Sequence, residues 1–584
     1  MGFIQPAPPP VDVEEWRKLP HLARLRPLVQ DWGVNGFGTP EAVYLLYLFK
    51  LVVFSLGAAL VISGTSGLGG LGDVNQWWTQ PIVWQKLAVW TLLWEGIGLG
   101  AGSMPLTFRF LPPIGGIIYW LRPGTVRLPP WPERVPLTRG STRTLVDVVL
   151  YAGVLVTGGY LLLANGQDVA GTTAGRLDPA AIAVLLGFWG LLGLRDKVSF
   201  LAFRPEVYGF LMVVFLFPLQ NMITGSQIVL FCIWWGAASS KLNHHFPFVV
   251  SVMISNTPWN RSRQAKARLW RKHPEVMLPS RVAAMAANLG TVMEFTLPLL
   301  LLVTQGGVLG TLAVVGMITF HVHITSTFPL AVPLEWNLFM IFGILFLFGH
   351  YGAAAFAIHS PILVVLLLLI GVGLPVLGNF RPDLVSFLPG MRYYAGNWAT
   401  SQWLFRKSTG AERKLDASIK KPAPVVVEQL VKVYGDRELA ELLLAKGLGF
   451  RSMHSHGRAL NGLIFRAVDD VEAYDVREGE LISGVVNGWN FGDGHFHDRQ
   501  LVEAVQERCN FEPGDLRVVT LEGQPAGRKT QHYRIYDAAT GLVEEGTVLV
   551  ADMVERLPWL DGSTAPDFPV QVTGGPGAVP AAAA

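Results

Sequence analysis

Ten predominantly apolar runs occupy the first 380 positions, near 42–63, 80–100, 144–165, 178–194, 205–222, 224–240, 282–304, 307–326, 334–352 and 359–379. A helix needs about 20 such residues to cross ~30 Å of hydrocarbon. The pattern therefore predicts a polytopic α-helical bundle of about ten transmembrane helices over 41–380. The fifth and sixth runs are parted only around Asn221, Thr224 and Gly225, which predicts a tight helical hairpin. In the N-terminal segment 1–40, WRKLPHLARLRPLVQDW mixes Leu and Trp with Arg, as a short helix in the headgroup plane does. FRFLPPIGGIIYWLRPG (108–124) is apolar but short and broken by Pro and Gly, so it reads as interfacial or re-entrant.

Beyond 380 the charges return. PVVVEQLVKVYGDRELAELLLAKGL predicts two amphipathic helices separated near Gly435. GELISGVVNGWNF reads as a strand, and HDRQLVEAVQERC as a helix capped by Asp498. HYRIYDAATGLVEEGTVLVADMV reads as a hairpin turning at DAATG. These elements predict a smaller α+β cytoplasmic domain over 381–561. A Pro-, Gly- and Ala-rich tail, 562–584, is expected to be disordered.

Composition agrees with a membrane chain. Only 15% of residues are charged and mean hydropathy is +0.38, against about 25% charged in soluble proteins. A net charge of +3 gives no global field for nucleic acid, and none is expected as a partner. Cys232 and Cys509 make no disulfide framework and no CxxC motif. No basic-then-apolar leader opens the chain, and Pro6 stands at the Ser/Thr position of a myristoylation signal.

Loop charges add an orientation. The loop 64–80 has no Lys or Arg, whereas 101–143 and 241–281 are rich in them. Ten spans with both termini in the cytoplasm put every basic loop inside, in a bacterial plasma membrane.

Ionisable residues inside apolar helices cost about 2.5–3.5 kcal/mol each at the centre. Lys86 and Asp147 lie near helix ends, where snorkelling serves the lysine. Lys50 and Glu95 lie deeper and are candidates to pair within the bundle. Glu294, in NLGTVMEFTLPLLLL, has no Lys or Arg within reach on its own helix, so its partner comes from another helix or it carries a proton. His321 and His323 are two apart and diverge by about 200° on a helix, which argues against a shared metal. The HxH pairs in MHSHGR and GHFHDR read as surface histidines, and no metal site is expected. Walker, GxSxG and HExxH signatures are absent.

Three passages resemble the horizontally transferred transmembrane domain shared with vitamin K-dependent gamma-carboxylases: CIWWGAASSKLNHHF, TVMEFTLPLLLL and FHVHITSTFPLAVPLEWNLFMIF. The chain as a whole also resembles an uncharacterised bacterial multi-pass family. The carboxylase resemblance implies Lys241 as a base, with His321 and Glu294 shaping its pocket. Trp234, Trp235 and Phe246 would stack on a quinone ring, with His244, His245 and His323 also lining the ligand site. Menaquinone is the lipid-soluble analogue that bacterial membranes offer. The carboxylases' peptide-binding region has no counterpart here, so protein carboxylation is not implied. Read from residues alone, Lys241 also serves as a topological anchor before a basic loop.

Two functional expectations follow. In the first, the bundle binds a quinone or isoprenoid lipid and performs base-assisted redox or proton-transfer chemistry on it. In the second, the protein is a non-catalytic scaffold or lipid-handling protein whose cytoplasmic domain recruits a protein partner.

Overall fold

The structure is a computed structural model that describes residues 3–100, 115–304, 306–327, 333–352, 358–421, 423–557, 559 and 568–575. Among these, six helices are long and apolar enough to cross a membrane: Glu41–Ser63, Leu145–Leu163, Leu219–Ser240, Arg281–Thr304, Gly307–Ser326 and Pro361–Phe380. The protein is therefore multi-pass, but the sequence-based count of ten is not met on length. Pro179–Arg195, Pro205–Phe215 and Leu334–His350 are shorter. Pro81–Gly96 has only 16 residues, and all but Trp90 and Leu93 are buried. A helix enclosed by protein has no lipid to match, so bilayer thickness does not set its length. Glu41–Ser63 shows the opposite case. Its buried residues Tyr47, Phe54, Ala58 and Ile62 form one stripe, and Leu48, Phe49 and Leu56 face outward.

The hairpin expected at Asn221, Thr224 and Gly225 is not there. Leu219–Ser240 runs unbroken through all three, and the chain turns earlier, at Leu216–Pro218. Gly225 lets the neighbouring helix approach, since a Cβ there would lie 2.8 Å from Val214. Asn221 accepts a bond from the His359 amide at 2.8 Å. These residues signal close packing rather than a turn.

Loops gather at two separate ends. At one, Thr173 N donates to Gln80 (3.0 Å), Ser66 N to Asn165 (3.0 Å), and Arg176 to the Phe217 carbonyl. At the other, the basic loops meet the C-terminal region. Trp120 donates to Asn487 O at 3.0 Å, Gln500 to Pro129 O at 2.7 Å, and Arg458 to Met277 O at 3.0 Å. The N-terminal helix His21–Asn35 joins this end. It buries Leu22, Leu25, Leu28, Val29 and Trp32 against Arg437–Met453 rather than lying free in the headgroup plane, and Lys446 pairs with Asp31 at 2.8 Å. Of the segment expected to be interfacial, residues 108–114 lie outside the described residues, and Gly115–Trp120 is a short helix whose Tyr119 hydroxyl donates to Val486 O.

Two short strands, β1 (Trp270–Lys272) and β2 (Val276–Pro279), pair in the second basic loop. The C-terminal region is built on a six-stranded antiparallel sheet, ordered β4-β3-β5-β6-β7-β8. Its strands are β3 (Thr400–Arg406), β4 (Tyr474–Glu478), β5 (Leu516–Leu521), β6 (Thr530–Asp537), β7 (Gly541–Leu549) and β8 (Val570–Gly574). The helices Val426–Tyr434 and Arg437–Met453 part at Gly435, whose φ of +72° closes the first. Asp498 caps Arg499–Cys509, and β6 and β7 form the hairpin.

Three expectations for this region fail, and one for the bundle. GELISGVV is a helix, Gly479–Val486, because the Glu478 carboxylate caps it at Leu481 N (3.3 Å), and the strand is the alternating YDVRE before it. The tail is not wholly disordered, since Val570–Gly574 pairs with β7, although 562–567 and 576–584 lie outside the described residues. His454, His456 and His497 are buried, not at the surface, and His495 is nearly so. Lys86 does not snorkel. It is fully buried and donates to Thr65 Oγ1 at 2.6 Å.

One core runs through both regions. It is continuous from Trp84, Phe203 and Trp234 in the bundle to Trp403, Trp489 and Phe496 around the sheet.

Candidate functional site

The segment SKLNHHF leaves Leu219–Ser240 through a turn that Asn243 pins. Its Oδ1 accepts from the amides of His245 (2.7 Å) and Phe246 (3.0 Å), and its Nδ2 donates to Ser240 O (2.6 Å) and Ala395 O (3.1 Å). Held this way, Lys241 turns toward Arg281–Thr304. Its Nζ donates directly to Glu294 Oε2, with side chains only 9% and 5% exposed. The cation that Glu294 lacks within reach on its own helix thus comes from another one. The Phe246 ring centroid lies 5.4 Å from the same ammonium, on which its π-face acts as a second, weaker partner.

His321 stands on the neighbouring helix Gly307–Ser326. Trp234 Nε1–H donates to its Nε2 at 3.1 Å, and its Nδ1 faces Asn337 Oδ1 at 2.8 Å. Asn337 Nδ2 donates to Pro333 O at 2.6 Å, which fixes the amide's orientation. The imidazole proton therefore belongs on Nδ1, and both ring nitrogens are engaged.

A polar and aromatic path continues from there. His321 lies 5.8 Å from the Trp336 ring, and Trp336 lies 6.0 Å from Tyr393. The Tyr393 hydroxyl donates to Glu206 Oε1 at 3.0 Å, and Arg204 Nε donates to the same oxygen at 2.7 Å. The guanidinium also faces Glu95 at 3.9 Å and lies over the rings of Tyr393 and Phe491, at 5.7 and 5.3 Å. Arg204 holds a left-handed φ of +57°, a conformation that costs an L residue about 1–2 kcal/mol. Its ion pairs and ring contacts hold it there.

Arg204, Glu206 and Tyr393 were not singled out from the sequence, because they fall where apolar runs end and polar residues carry little signal. Lys50 and Glu95 both find partners within the bundle, but not each other. Lys50 pairs with Glu335 at 3.1 Å, and Glu95 faces Arg204.

The remaining candidates scatter. His245 points into the C-terminal region, with Nδ1 2.6 Å from Ser455 Oγ and Nε2 2.8 Å from Gln524 Oε1. Burial lowers its pKa to about 4, against the opposing bond to Gln524. Its geometry is that of a tether between bundle and sheet region. Trp235 donates to Phe295 O at 3.0 Å and packs edge-on against that ring, locking two helices together. His244 is exposed, and so is His323, which sits 6.3 Å from Trp259. No group of three or more His, Cys, Asp or Glu side chains able to hold a metal occurs among the described residues.

Residues 1–573 match the family model described as a transmembrane protein of unknown function, DUF3556. The chain belongs to this family. No curated protein and no solved structure matches the chain. The family match supports an uncharacterised membrane family, and nothing in it supports the carboxylase-like domain that the three passages resemble.

Proposed function

We propose that this DUF3556 protein binds a lipophilic ligand, a quinone or isoprenoid lipid, within its helical bundle. In this reading Lys241 and Glu294 handle a proton of the ligand. The observation that carries it is the direct contact between these two side chains, from different helices, in a nearly water-free setting. An amine and a carboxyl in contact can pass a proton between them while a third group gains or loses one. His321, bonded on both nitrogens, holds Trp234 rather than acting as a free base. Phe246 supplies a ring against the ammonium.

The Arg-rich loops share one end with the N-terminal helix and the sheet region, which supports placing both termini in the cytoplasm of a bacterial plasma membrane. The shared core weighs against a freely detachable recruitment domain.

The test is mass spectrometry of lipids extracted from protein purified in mild detergent, comparing wild type with Lys241→Ala. A stoichiometric quinone or isoprenoid lipid, lost in the variant, is the expected result. Bulk phospholipid alone in both samples would defeat the reading and favour a scaffold role.

A further inference from the structure

A crevice of ≈ 290 Å³ opens between the helices Pro179–Arg195, Pro205–Phe215 and Pro361–Phe380. Trp189, Phe210, Val213, Ile370 and Leu374 line it, and Glu206 is the one ionisable residue in its wall among the described residues. It opens on the flank of the bundle. Gly190 and Leu374 of its lining are exposed, beside the outward-facing Leu191 and Leu369 of the same helices, so a molecule dissolved in the bilayer can enter sideways. The volume is near the lower end of the roughly 300–1,000 Å³ usual for small-molecule sites. It suits a headgroup and the start of a chain whose remainder stays in lipid.

Glu206 decides the chemistry of that head. Its Oε1 already accepts from Arg204 and Tyr393, while its buried Oε2 has no partner among the described residues. An unsatisfied carboxylate oxygen in an apolar wall calls for a donor. A phosphate head would be repelled by the carboxylate. An ammonium head would meet Arg204, which already holds the same carboxylate at 2.7 Å. An oxidised quinone offers only acceptors, which leave Oε2 unsatisfied.

We infer that the crevice binds a hydrophobic molecule through a hydroxyl that donates to Glu206, as an isoprenoid alcohol or a quinol does. This rests on the reading that the bundle takes a lipophilic ligand, and adds where the ligand enters and what its head carries. Tyr393 then links the crevice through Trp336 to His321, and so toward Lys241.

The experiment uses the full-length protein in nanodiscs of zwitterionic phospholipid. The probes are tritiated geranylgeraniol, menaquinol, and the methyl ethers of each. A hydroxyl form should bind saturably, its ether at least about tenfold more weakly, and the better-bound hydroxyl identifies the source. Gly190→Leu should abolish binding. Gly190 lines the crevice and an added Cβ there meets nothing within 4 Å, so the fold tolerates the change. Gly187→Leu, on the same helix with equally open space and outside the crevice, should bind as wild type does. Ethers binding as well as alcohols, equal effects of the two glycine variants, or no saturable binding would each overturn the inference. If a lipid co-purifying with wild type persists in Gly190→Leu, the crevice assignment falls and the ligand reading stands. If nothing co-purifies but hydroxyl probes bind at the crevice, the Lys241 reading falls and the crevice stands.

Discussion

The bundle buries charge in two different ways. Lys241 and Glu294 form a one-to-one pair between two helices, each the other's principal partner. Around Arg204, one guanidinium faces two carboxylates, Glu95 at 3.9 Å and Glu206 at 2.7 Å, and both Arg204 Nη1 and Glu206 Oε2 are buried without a hydrogen-bond partner among the described residues. The balanced pair neutralises its own charge and ties two helices together, and the ligand's proton is proposed to pass through it. The unbalanced cluster keeps an unused acceptor and is the better place to receive a ligand. Buried charge is thus not one phenomenon here, and the ratio of cations to anions separates the two uses.

Substitution should expose that difference. Arg204→Met leaves Glu95 and Glu206 buried without their cation and should cost the most, on the order of 3–5 kcal/mol or more of stability. Thermal unfolding in detergent measures it, and Glu95→Gln in the same background should return part of the loss. Glu294→Gln strands Lys241 and should also cost several kcal/mol. Glu206→Gln should cost only about 1–2 kcal/mol, because Arg204 keeps Glu95. Equal losses for Glu294→Gln and Glu206→Gln would erase the distinction.

The smallest effect lies in the C-terminal sheet region, in a largely buried ion pair. His495 Nε2 is 3.0 Å from Glu522 Oε2. Burial pulls the His495 pKa down, but the charges and hydrogen bond of Glu522, with Asp493, more than offset this and raise it to about 9. Burial raises the Glu522 pKa, and His495 with the Gly523 amide overcomes this and lowers it to about 2. The histidine's contribution is full below its ordinary 6.5 and is lost as pH rises through about 9. The glutamate's is full above its ordinary 4.5 and is lost as pH falls toward about 2. Stability from this pair, on the order of 1–2 kcal/mol counted once, should therefore plateau between those ordinary values and decline on either side. A pH series of melting temperatures for wild type and Glu522→Gln checks this, and the two curves should converge above about pH 9.

The membrane character was legible because apolar runs are long and unambiguous. The pairing of Glu294 with a second helix was legible because no cation lies near it in sequence. Glu206 and Arg204 were not, since they flank Pro205 at the edge of an apolar run and look like loop residues until the fold carries them inward. The break between helices was misplaced because Asn221, Thr224 and Gly225 are also what close helix packing uses. The buried histidines of MHSHGR were missed because part of their surroundings comes from a distant segment, with Trp398 against both His454 and His456. Short-range pattern cannot report contacts of that kind.

A double-mutant cycle on Lys241 and Glu294, read by thermal unfolding in detergent, tests most directly whether these residues act as one unit. Lys241→Met and Glu294→Leu should each destabilise by about 3–5 kcal/mol, while the double variant should lie closer to wild type than either. Losses that add to within about 0.5 kcal/mol would show two independent side chains, and the proton-sharing role proposed for the pair would be wrong.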